Sequence, residues 1–187
     1  MTFIGEYYID EAICGRLIKL FESSQSKAPG KSFRGTQAVV DKNIKDSTDV
    51  LFNQEALRHN PQLAQDYYGA LANCAQQYEQ EYTFLQHTDQ LRIVESPILQ
   101  HYAPGQGYKQ FHFERGSMST AARYLAFMTY LNTVTDQGGT EFYYQKLVHQ
   151  PKVGKTLIWP VDWTHTHRGV ISPTQDKFIV TGWFSLA

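Results

Sequence analysis

The 187-residue sequence has few cysteines, no long apolar run and almost no net charge, and each shortage argues against a class of protein. Its two cysteines, Cys14 and Cys74, are too few for a disulfide framework or a zinc set, so both are expected to be buried, reduced thiols. No apolar stretch approaches the roughly 20 residues that span a bilayer, and residues 1–10 lack the basic and apolar regions of a signal peptide. The formal charge of -1 argues against a nucleic-acid or anionic-membrane binder, which needs a basic surface. A cytoplasmic location is therefore expected.

The balance of residue types fits a single globular domain covering residues 1–187. With 42% hydrophobic and 19% charged residues, the chain can bury a core, and it is too short for two full domains. We expect residues 1–95 to form mostly helical support and loops. Residues 96–187 are expected to form a β-rich core that carries the chemistry.

Two amphipathic helices are predicted in the first half. Apolar residues recur at helical spacing over residues 10–22, with Asp10 as the N-cap. A second helix is predicted to begin at Pro61, with Asn60 as its cap. Residues 23–49 between them are rich in Ser, Lys, Gly and Asp, and are predicted to form a loop with one short strand near residues 37–40. The second helix carries an apolar stripe at spacings of three and four residues: Leu63, Tyr67, Leu71, Cys74 and Tyr78.

After residue 95 the pattern changes to short β-rich runs separated by glycine, proline and aspartate turns. About eight short strands in fewer than about ninety residues are typical of a sandwich or barrel such as a jelly roll. The chain is therefore predicted to be mainly β with N-terminal helices. The predicted strands cover residues 98–102, 108–114, 123–131, 141–144, 147–148, 156–159, 165–170 and 177–184.

A metal site is predicted from two histidines and one carboxylate. His112 and Glu114 are two residues apart in a predicted strand, so their side chains point to the same face. His167 lies on a later strand that a jelly roll can place beside the first. Two histidines and a carboxylate form the facial triad that leaves iron positions open for oxygen and a chelating cosubstrate. His165 competes with His167, since the two are separated by a single residue.

The last predicted strand contains a lysine that needs an anion. Lys177, Ile179, Thr181 and Trp183 alternate onto one face, and apolar residues fill the other, so both faces look buried. A lysine in such a strand is unfavourable unless an anion meets it, and a diacid cosubstrate would supply one. The alternative is a lysine at the strand entrance whose amine reaches water.

Several motifs follow one another in the order of a known family. His167 stands ten residues before Lys177, and Trp183 follows six residues later. From His101 to the C-terminus, the chain resembles the prolyl 4-hydroxylase-like branch of the Fe(II)/2-oxoglutarate dioxygenases. The other motifs that carry the resemblance are Tyr102-x-Pro104-Gly105, then Tyr108, His112 and Glu114, then Tyr130-Leu131-Asn132, then Gly138-Gly139-Thr140-Glu141-Phe142, and last Pro151-Lys152-x-Gly154.

The resemblance implies a double-stranded β-helix (jelly-roll, cupin-like) core and an oxygenase activity. Fe(II), 2-oxoglutarate and O2 would be required, ascorbate is a further cofactor candidate, and 2-oxoglutarate would be converted to succinate while a substrate is hydroxylated. That substrate would be a peptidyl proline or another peptide, protein or small molecule. Glu114 departs from the family's usual aspartate, which implies a working site of altered geometry. The implied site comprises His112, Glu114 and His167 as metal ligands, and Lys177, Tyr102, Tyr130, Thr181 and Trp183 as cofactor-binding residues.

Two other functions are compatible with the same predicted barrel. A cupin-like metalloenzyme that does not use 2-oxoglutarate would recruit further histidines and would not need Lys177. A non-catalytic jelly-roll binding module would have no need to retain three metal ligands and the lysine. The sequence indicates neither the substrate nor the oligomeric state.

Overall fold

A computed structural model describes residues 1–34, 37–53, 57–58 and 60–187. Its two longer helices are α1 (Glu11–Ser23) and α2 (Pro61–Glu81), and short 3-10 helices cover Thr83–His87, Met118–Thr120 and Trp163–His165. The strands are β1 (Gly5–Tyr8), β2 (Ala28–Pro29), β3 (Ser32–Arg34), β4 (Gln37–Val39), β5 (Lys45–Asp46), β6 (Thr48–Leu51), β7 (Leu91–Arg92), β8 (Ile98–Tyr102), β9 (Gly107–Tyr108), β10 (Arg123–Tyr130), β11 (Thr140–Phe142), β12 (Leu147–His149), β13 (Lys155–Pro160), β14 (His167–Gly169) and β15 (Lys177–Leu186).

Both predicted helices are confirmed. Asp10 caps α1, because its carboxylate accepts a hydrogen bond from the Ala12 N–H at 2.8 Å. Pro61 occupies the first turn of α2, where its missing N–H has no intrahelical partner to lose. Asn60 stands at the N-cap position, but its side chain makes no capping hydrogen bond, so that part of the prediction was wrong. All five residues of the predicted α2 stripe are buried.

A large antiparallel sheet forms the centre of the fold. Its strand order is β1-β13-β10-β15-β8-β6-β2, and β7 pairs with the end of β15. Because side chains alternate along β10, Leu125 and Phe127 pack with the two helices, whereas Ala126, Met128 and Tyr130 face the opposite side. Both faces of the sheet are therefore covered, which explains why its strands read as nearly continuous apolar runs.

A second, smaller sheet closes the open side of the large one. It has the order β12-β11-β14, and an isolated bridge between His112 and His167 extends it by one residue. The N–H of each of these two histidines donates to the carbonyl of the other at 2.9 Å. Two facing antiparallel sheets with this order form a double-stranded β-helix, so the predicted mainly β, jelly-roll core with N-terminal helices is confirmed.

Three details of the predicted elements were wrong. The segment 108–114 is not one strand, because its backbone pairs in turn with β5 at Tyr108, with β14 at His112 and with Val161 at Glu114. Residues 23–49 hold more than the one strand confirmed at Gln37–Val39, since β2, β3, β5 and the start of β6 also fall there. Strand β1, which pairs with β13, was not predicted. Residues 35 and 36 of the predicted loop lie outside the described residues.

Cys14 and Cys74 are both buried free thiols, as predicted. Within the described ranges, no helix combines the length and apolar character needed to cross a membrane.

Candidate active site

His112, Glu114 and His167 converge at one place between the two sheets. Their ligand atoms all lie within 4.8 Å of one another. Glu114 Oε1 lies 3.6 Å from His112 Nε2 and 3.3 Å from His167 Nε2. The backbone bridge between the histidines sets this arrangement, since it fixes the separation of the two main chains that carry the rings. No continuous ladder contains residues 112–114, and the Glu114 backbone is held next to the bridge by the hydrogen bond from its N–H to the Val161 carbonyl at 3.1 Å.

The two imidazole rings are oriented in the same way. His112 Nδ1 lies 3.0 Å from the Gln110 carbonyl oxygen, and His167 Nδ1 lies 2.9 Å from the His165 carbonyl oxygen. A carbonyl can only accept, so each Nδ1 carries the proton and donates it. In the neutral ring each Nε2 then keeps its lone pair on the side of Glu114, and in the protonated ring the same nitrogen donates to the Glu114 carboxylate. Metal-binding histidines are commonly fixed by such a bond from the other ring nitrogen.

The electrostatics favour the protonation states that bind a metal. Burial lowers the pKa of His112 below its usual value, and the neighbouring His167 lowers it further. Burial alone would raise the pKa of Glu114, but hydrogen bonds and charges from His112 and His167 bring it well below 4.5. The lowered pKa values favour the neutral imidazole of His112 and the ionised carboxylate of Glu114. Two nitrogens and one oxygen fit the donor set of a non-haem Fe(II) centre.

Trp183 contacts the carboxylate of the cluster. Its indole Nε1–H donates to Glu114 Oε2 at 3.0 Å, so the indole holds the oxygen that faces away from the two histidines. Trp183 thus lies at the metal-ligand end of the site. The sequence analysis placed Trp183 among the cofactor-binding residues and did not predict its contact with the metal-ligand carboxylate.

Lys177 lies at the start of β15 and is buried, with 4% of its surface exposed. Its ammonium donates to the Gly138 carbonyl at 2.9 Å and to the Val170 carbonyl at 3.4 Å, and it lies 4.9 Å from the centre of the Tyr102 ring. Within the described part of the chain, no carboxylate lies within ion-pair distance of it. Burial lowers the pKa of Lys177 to about 8. The amine therefore does not reach water, and the charged form still needs an anion.

One cavity of about 350 Å³ connects these groups. His112, Glu114 and His167 line it together with Lys177. The predicted facing of β15 is confirmed, because Ile179, Thr181 and Trp183 also line the cavity while Phe178, Val180 and Phe184 pack on the helix side. A cation and a metal-type cluster therefore share one cavity.

The three predicted hydroxyl-bearing residues line the same cavity, with their hydroxyls already bonded to protein atoms. The Tyr102 hydroxyl donates to Gln100 Oε1 at 2.7 Å, and Thr181 Oγ1 donates to the Phe127 carbonyl at 3.1 Å. The Tyr130 hydroxyl lies 2.6 Å from Thr140 Oγ1 and donates to the His149 carbonyl at 3.1 Å. Any of them would have to exchange a partner to bind a cosubstrate.

The structure separates His165 and His101 from the cluster. His165 Nε2 lies 2.9 Å from the Thr2 carbonyl oxygen, so its ring points away from the cluster. The backbone carbonyl of His165 accepts the hydrogen bond from His167 Nδ1. His101 pairs with Asp176 at 2.6 Å and stacks on Phe178. His59, for which no partner was predicted, lies outside the described residues.

Arg168, for which a substrate-steering and a surface-pairing role were both open, pairs with Glu141. The distance between Arg168 Nε and Glu141 Oε2 is 2.8 Å, and the guanidinium lies over Phe111. The pairing role is therefore the one that the structure shows for Arg168.

Several residues of the site were not identified from the sequence. Tyr108 was quoted only as part of a motif, yet its ring stacks on His112 with centroids 3.7 Å apart and an interplanar angle of 9°. Lys45 lines the cavity, is 4% exposed and pairs with Asp49 at 2.7 Å. Trp159 also lines it, and its buried indole N–H has no partner among the described residues. Arg123 also lines the cavity, and the sequence carried a signal for it because it is a charged residue at the first position of an apolar strand. Lys45 lies in a polar segment that carries no such signal.

Comparison with known proteins gives the same assignment as the motifs. The sequence profile described as "2OG-Fe(II) oxygenase superfamily" matches residues 74–185, more than half of the chain. No curated protein matches the sequence significantly.

Solved prolyl hydroxylases have a similar fold. A prolyl 4-hydroxylase from Pseudomonas putida has a TM-score of 0.73 at 14% identity, over 99% of this chain and 94% of that one. A prolyl hydroxylase from Trichoplax adhaerens, solved with a peptide fragment of the hypoxia inducible factor oxygen degradation domain, has a TM-score of 0.74 at 11% identity, over 100% and 84%. A viral collagen prolyl hydroxylase from Paramecium Bursaria Chlorella virus-1 has a TM-score of 0.63 at 16% identity, over 99% and 97%. These likenesses show the fold, and the profile match shows that the chain belongs to the 2OG-Fe(II) oxygenase superfamily.

Proposed function

We propose that the protein couples the oxidative decarboxylation of 2-oxoglutarate to succinate with the hydroxylation of a substrate, using Fe(II) bound by His112, Glu114 and His167. The observation that carries the proposal is the shared cavity. It joins the cluster of three ligand atoms to a buried ammonium that has no protein counter-ion among the described residues. A metal-chelating diacid meets both requirements at once.

Fe(II) bound there would supply the redox chemistry by which O2 oxidises 2-oxoglutarate. The protein's own residues orient the reactants and exclude water. His112 and His167 present fixed Nε2 lone pairs, and Glu114 supplies one negative oxygen. The walls of the two sheets enclose the reacting groups, which strengthens each charge interaction inside the cavity.

Lys177 is proposed to hold the carboxylate of 2-oxoglutarate that is remote from the metal. The Gly138 and Val170 carbonyls orient its ammonium, and the Tyr102 ring lies against it. A charge-assisted hydrogen bond of this kind contributes on the order of 1.5–3 kcal/mol, or about ten- to a hundredfold in affinity. Hydroxyls of Tyr130 or Thr181 would assist by exchanging a present partner for the carboxylate.

We further propose a peptidyl proline as the first substrate class to test. The support is the fold likeness to prolyl hydroxylases, one of which was solved with a peptide fragment. Retention of a carboxylate at Glu114 supports hydroxylation over halogenation. Other peptide or protein side chains and small metabolites belong in the same test, and ascorbate is proposed as a supporting reductant.

The two buried free thiols support function in a reducing compartment such as the cytoplasm.

Succinate release tests the proposal directly. The purified protein with Fe(II), 2-oxoglutarate, O2 and ascorbate is expected to form succinate faster when a true substrate is added from a panel of proline peptides and small metabolites. Lys177→Ala should raise the apparent KM for 2-oxoglutarate at least about tenfold, since it removes the only cation proposed for the remote carboxylate. Lys155→Ala is the matched control, because Lys155 is also largely buried but pairs with Glu6 outside the cavity. An unchanged KM in Lys177→Ala would contradict the anchor assignment.

A further inference from the structure

The two oxygens of Glu114 have different environments. Oε1 faces the two histidine Nε2 atoms, at 3.6 and 3.3 Å. Oε2 faces the opposite way, accepts the Trp183 indole N–H at 3.0 Å and lies 3.8 Å from Arg123 Nη1. One oxygen is thus directed to the metal position, and the other is held by protein groups.

Arg123 lies beside this second oxygen and is held there by several contacts. Its Nε and Nη2 grip the Glu95 carboxylate at 2.6 and 2.5 Å, and its Nη1 donates to the Glu114 backbone carbonyl at 3.1 Å. Its guanidinium lies 3.5 Å from the centre of the Trp183 ring. Arg123 is 8% exposed, so its guanidinium is removed from bulk water, and the contacts above fix its orientation. It contacts the main chain of Glu114 and also the indole that binds the Glu114 side chain.

A β-bulge brings Arg123 to this position. The register between β10 and β15 shifts between Arg123 and Leu125, which leaves Tyr124 as an extra residue. Without that shift, strict alternation would place Arg123 on the helix side with Leu125 and Phe127. With it, Arg123 lines the cavity together with Met128 and Tyr130. Bulges commonly re-aim a side chain next to a functional site.

We propose that Arg123, braced by Glu95, is a positioning residue that holds Oε2 of Glu114, so that the glutamate presents a single oxygen to the metal. A glutamate has one more rotatable bond than the aspartate that the family usually carries, and fixing that bond before the metal binds removes an entropic penalty. Arg123 and Trp183 together supply the restraint. The inference rests on the proposed function, because it concerns the ligand set of the same site.

A double-mutant cycle in metal binding tests this role without requiring turnover. Co(II) alone is titrated into the metal-free protein and followed by its visible absorption. In the native Glu114 background, Arg123→Gln should weaken Co(II) binding by about 10- to 100-fold, the range for groups that orient a metal ligand. In the Glu114→Asp background, where the shorter side chain does not reach Arg123, the same substitution should change the affinity by less than about threefold. Arg123→Lys should weaken binding less than Arg123→Gln, because lysine keeps the positive charge but lacks the paired N–H donors of the guanidinium.

Arg16→Gln is the matched control. Arg16 also pairs with a carboxylate, that of Asp66 at 2.6 Å, but this pair joins α1 to α2 and does not line the cavity. It should leave Co(II) affinity unchanged in both backgrounds. If Arg123→Gln does not fold, Glu95→Gln is measured in the same two backgrounds and should show the same dependence on Glu114 with a smaller loss.

The outcomes separate the two proposals. A wild-type protein that binds Co(II), but in which the Arg123 or Glu95 substitution has equal effects in both backgrounds, would overturn the positioning role alone. A wild-type protein that binds no Co(II) would overturn the proposed function, and this inference with it.

Discussion

Two charged side chains of the site, Glu114 and Lys177, are removed from bulk water in different ways. Glu114 has the two histidines beside Oε1 and the Trp183 indole and Arg123 beside Oε2, and the pKa of its carboxyl falls well below 4.5 despite burial. Among the described residues, Lys177 contacts only backbone carbonyls and an aromatic ring, and burial lowers its pKa to about 8. The buried carboxylate of Glu114 thus has polar neighbours, whereas the buried ammonium of Lys177 lacks an anion. Such a site suits a ligand that coordinates a metal next to Glu114 and places a free carboxylate next to Lys177.

Four candidate site residues could be identified from the sequence because they belong to motifs. His112, Glu114, His167 and Lys177 stand at fixed spacings, and strand alternation put Lys177 and Trp183 on one face. Arg123 could not be placed, because its facing depends on a bulge that strict alternation does not anticipate. The ten-residue spacing to Lys177 already favoured His167 over His165, and in the structure the His165 ring lies against the carbonyl oxygen of Thr2 instead of the cluster.

The lowered pKa of Lys177 predicts a pH dependence. If Lys177 holds the remote carboxylate of 2-oxoglutarate as proposed, the free enzyme binds it only while the amine is protonated, so kcat/KM for 2-oxoglutarate should be level near neutral pH. It should fall as pH rises through about 8, by about tenfold for each further unit. Lys177→Arg keeps a cation that does not titrate in this range, and its profile should stay flat. A wild-type profile that is also flat to pH 9.5 (on the order of one to two units above the pKa) would contradict the assignment.

At the scale of elements, the sheets position the site and the helices support the sheets. Helix α2 and β10 were predicted well because their apolar patterns are strong and local. The segment 108–114 was predicted as one strand because its composition is β-like, yet its hydrogen bonds go to three different partners. Strands β1, β2 and β6 were missed because short strands at or near the edges of a sheet depend on their tertiary partners more than on local pattern.

The turn before β13 depends on Gly154. Its φ is +78°, its N–H donates to the Tyr130 carbonyl at 2.9 Å, and a Cβ there would lie 2.4 Å from the Ile9 carbonyl oxygen. Gly154→Ala should therefore lower the free energy of unfolding by at least about 1 kcal/mol, through backbone strain and the clash with the turn before α1. Gly69→Ala in α2, where a Cβ meets no atom within 4 Å, is the control and should be neutral or stabilising. Chemical denaturation measures both, and equal stabilities for the two variants would contradict this view of the turn.

At the scale of the whole molecule, the first half of the chain completes the second. Strand β1 extends the large sheet next to β13, β6 extends it next to β8, and the two helices cover its apolar face. The expected division into helical support and a separate core therefore understates how far the two halves share one sheet. We propose that residues 1–187 form a single cooperative unit.

Truncation tests this proposal. A protein limited to residues 96–187 would expose the face formed by Leu125, Phe127 and Val180 and two unpaired strand edges, so it should aggregate or fail to fold. The full chain should unfold in one transition by circular dichroism and by tryptophan fluorescence. A folded, monomeric 96–187 fragment, or two separated transitions in the full chain, would show that the halves are independent.

The central claim is that His112, Glu114 and His167 hold one Fe(II) that 2-oxoglutarate chelates. The most direct measurement is an anaerobic titration of Fe(II) into the protein with 2-oxoglutarate, followed by the weak visible charge-transfer band of the chelate. The account predicts that the wild-type protein and His165→Ala develop the band with one equivalent of Fe(II), and that His167→Ala does not. A band that survives in His167→Ala and disappears in His165→Ala would contradict it.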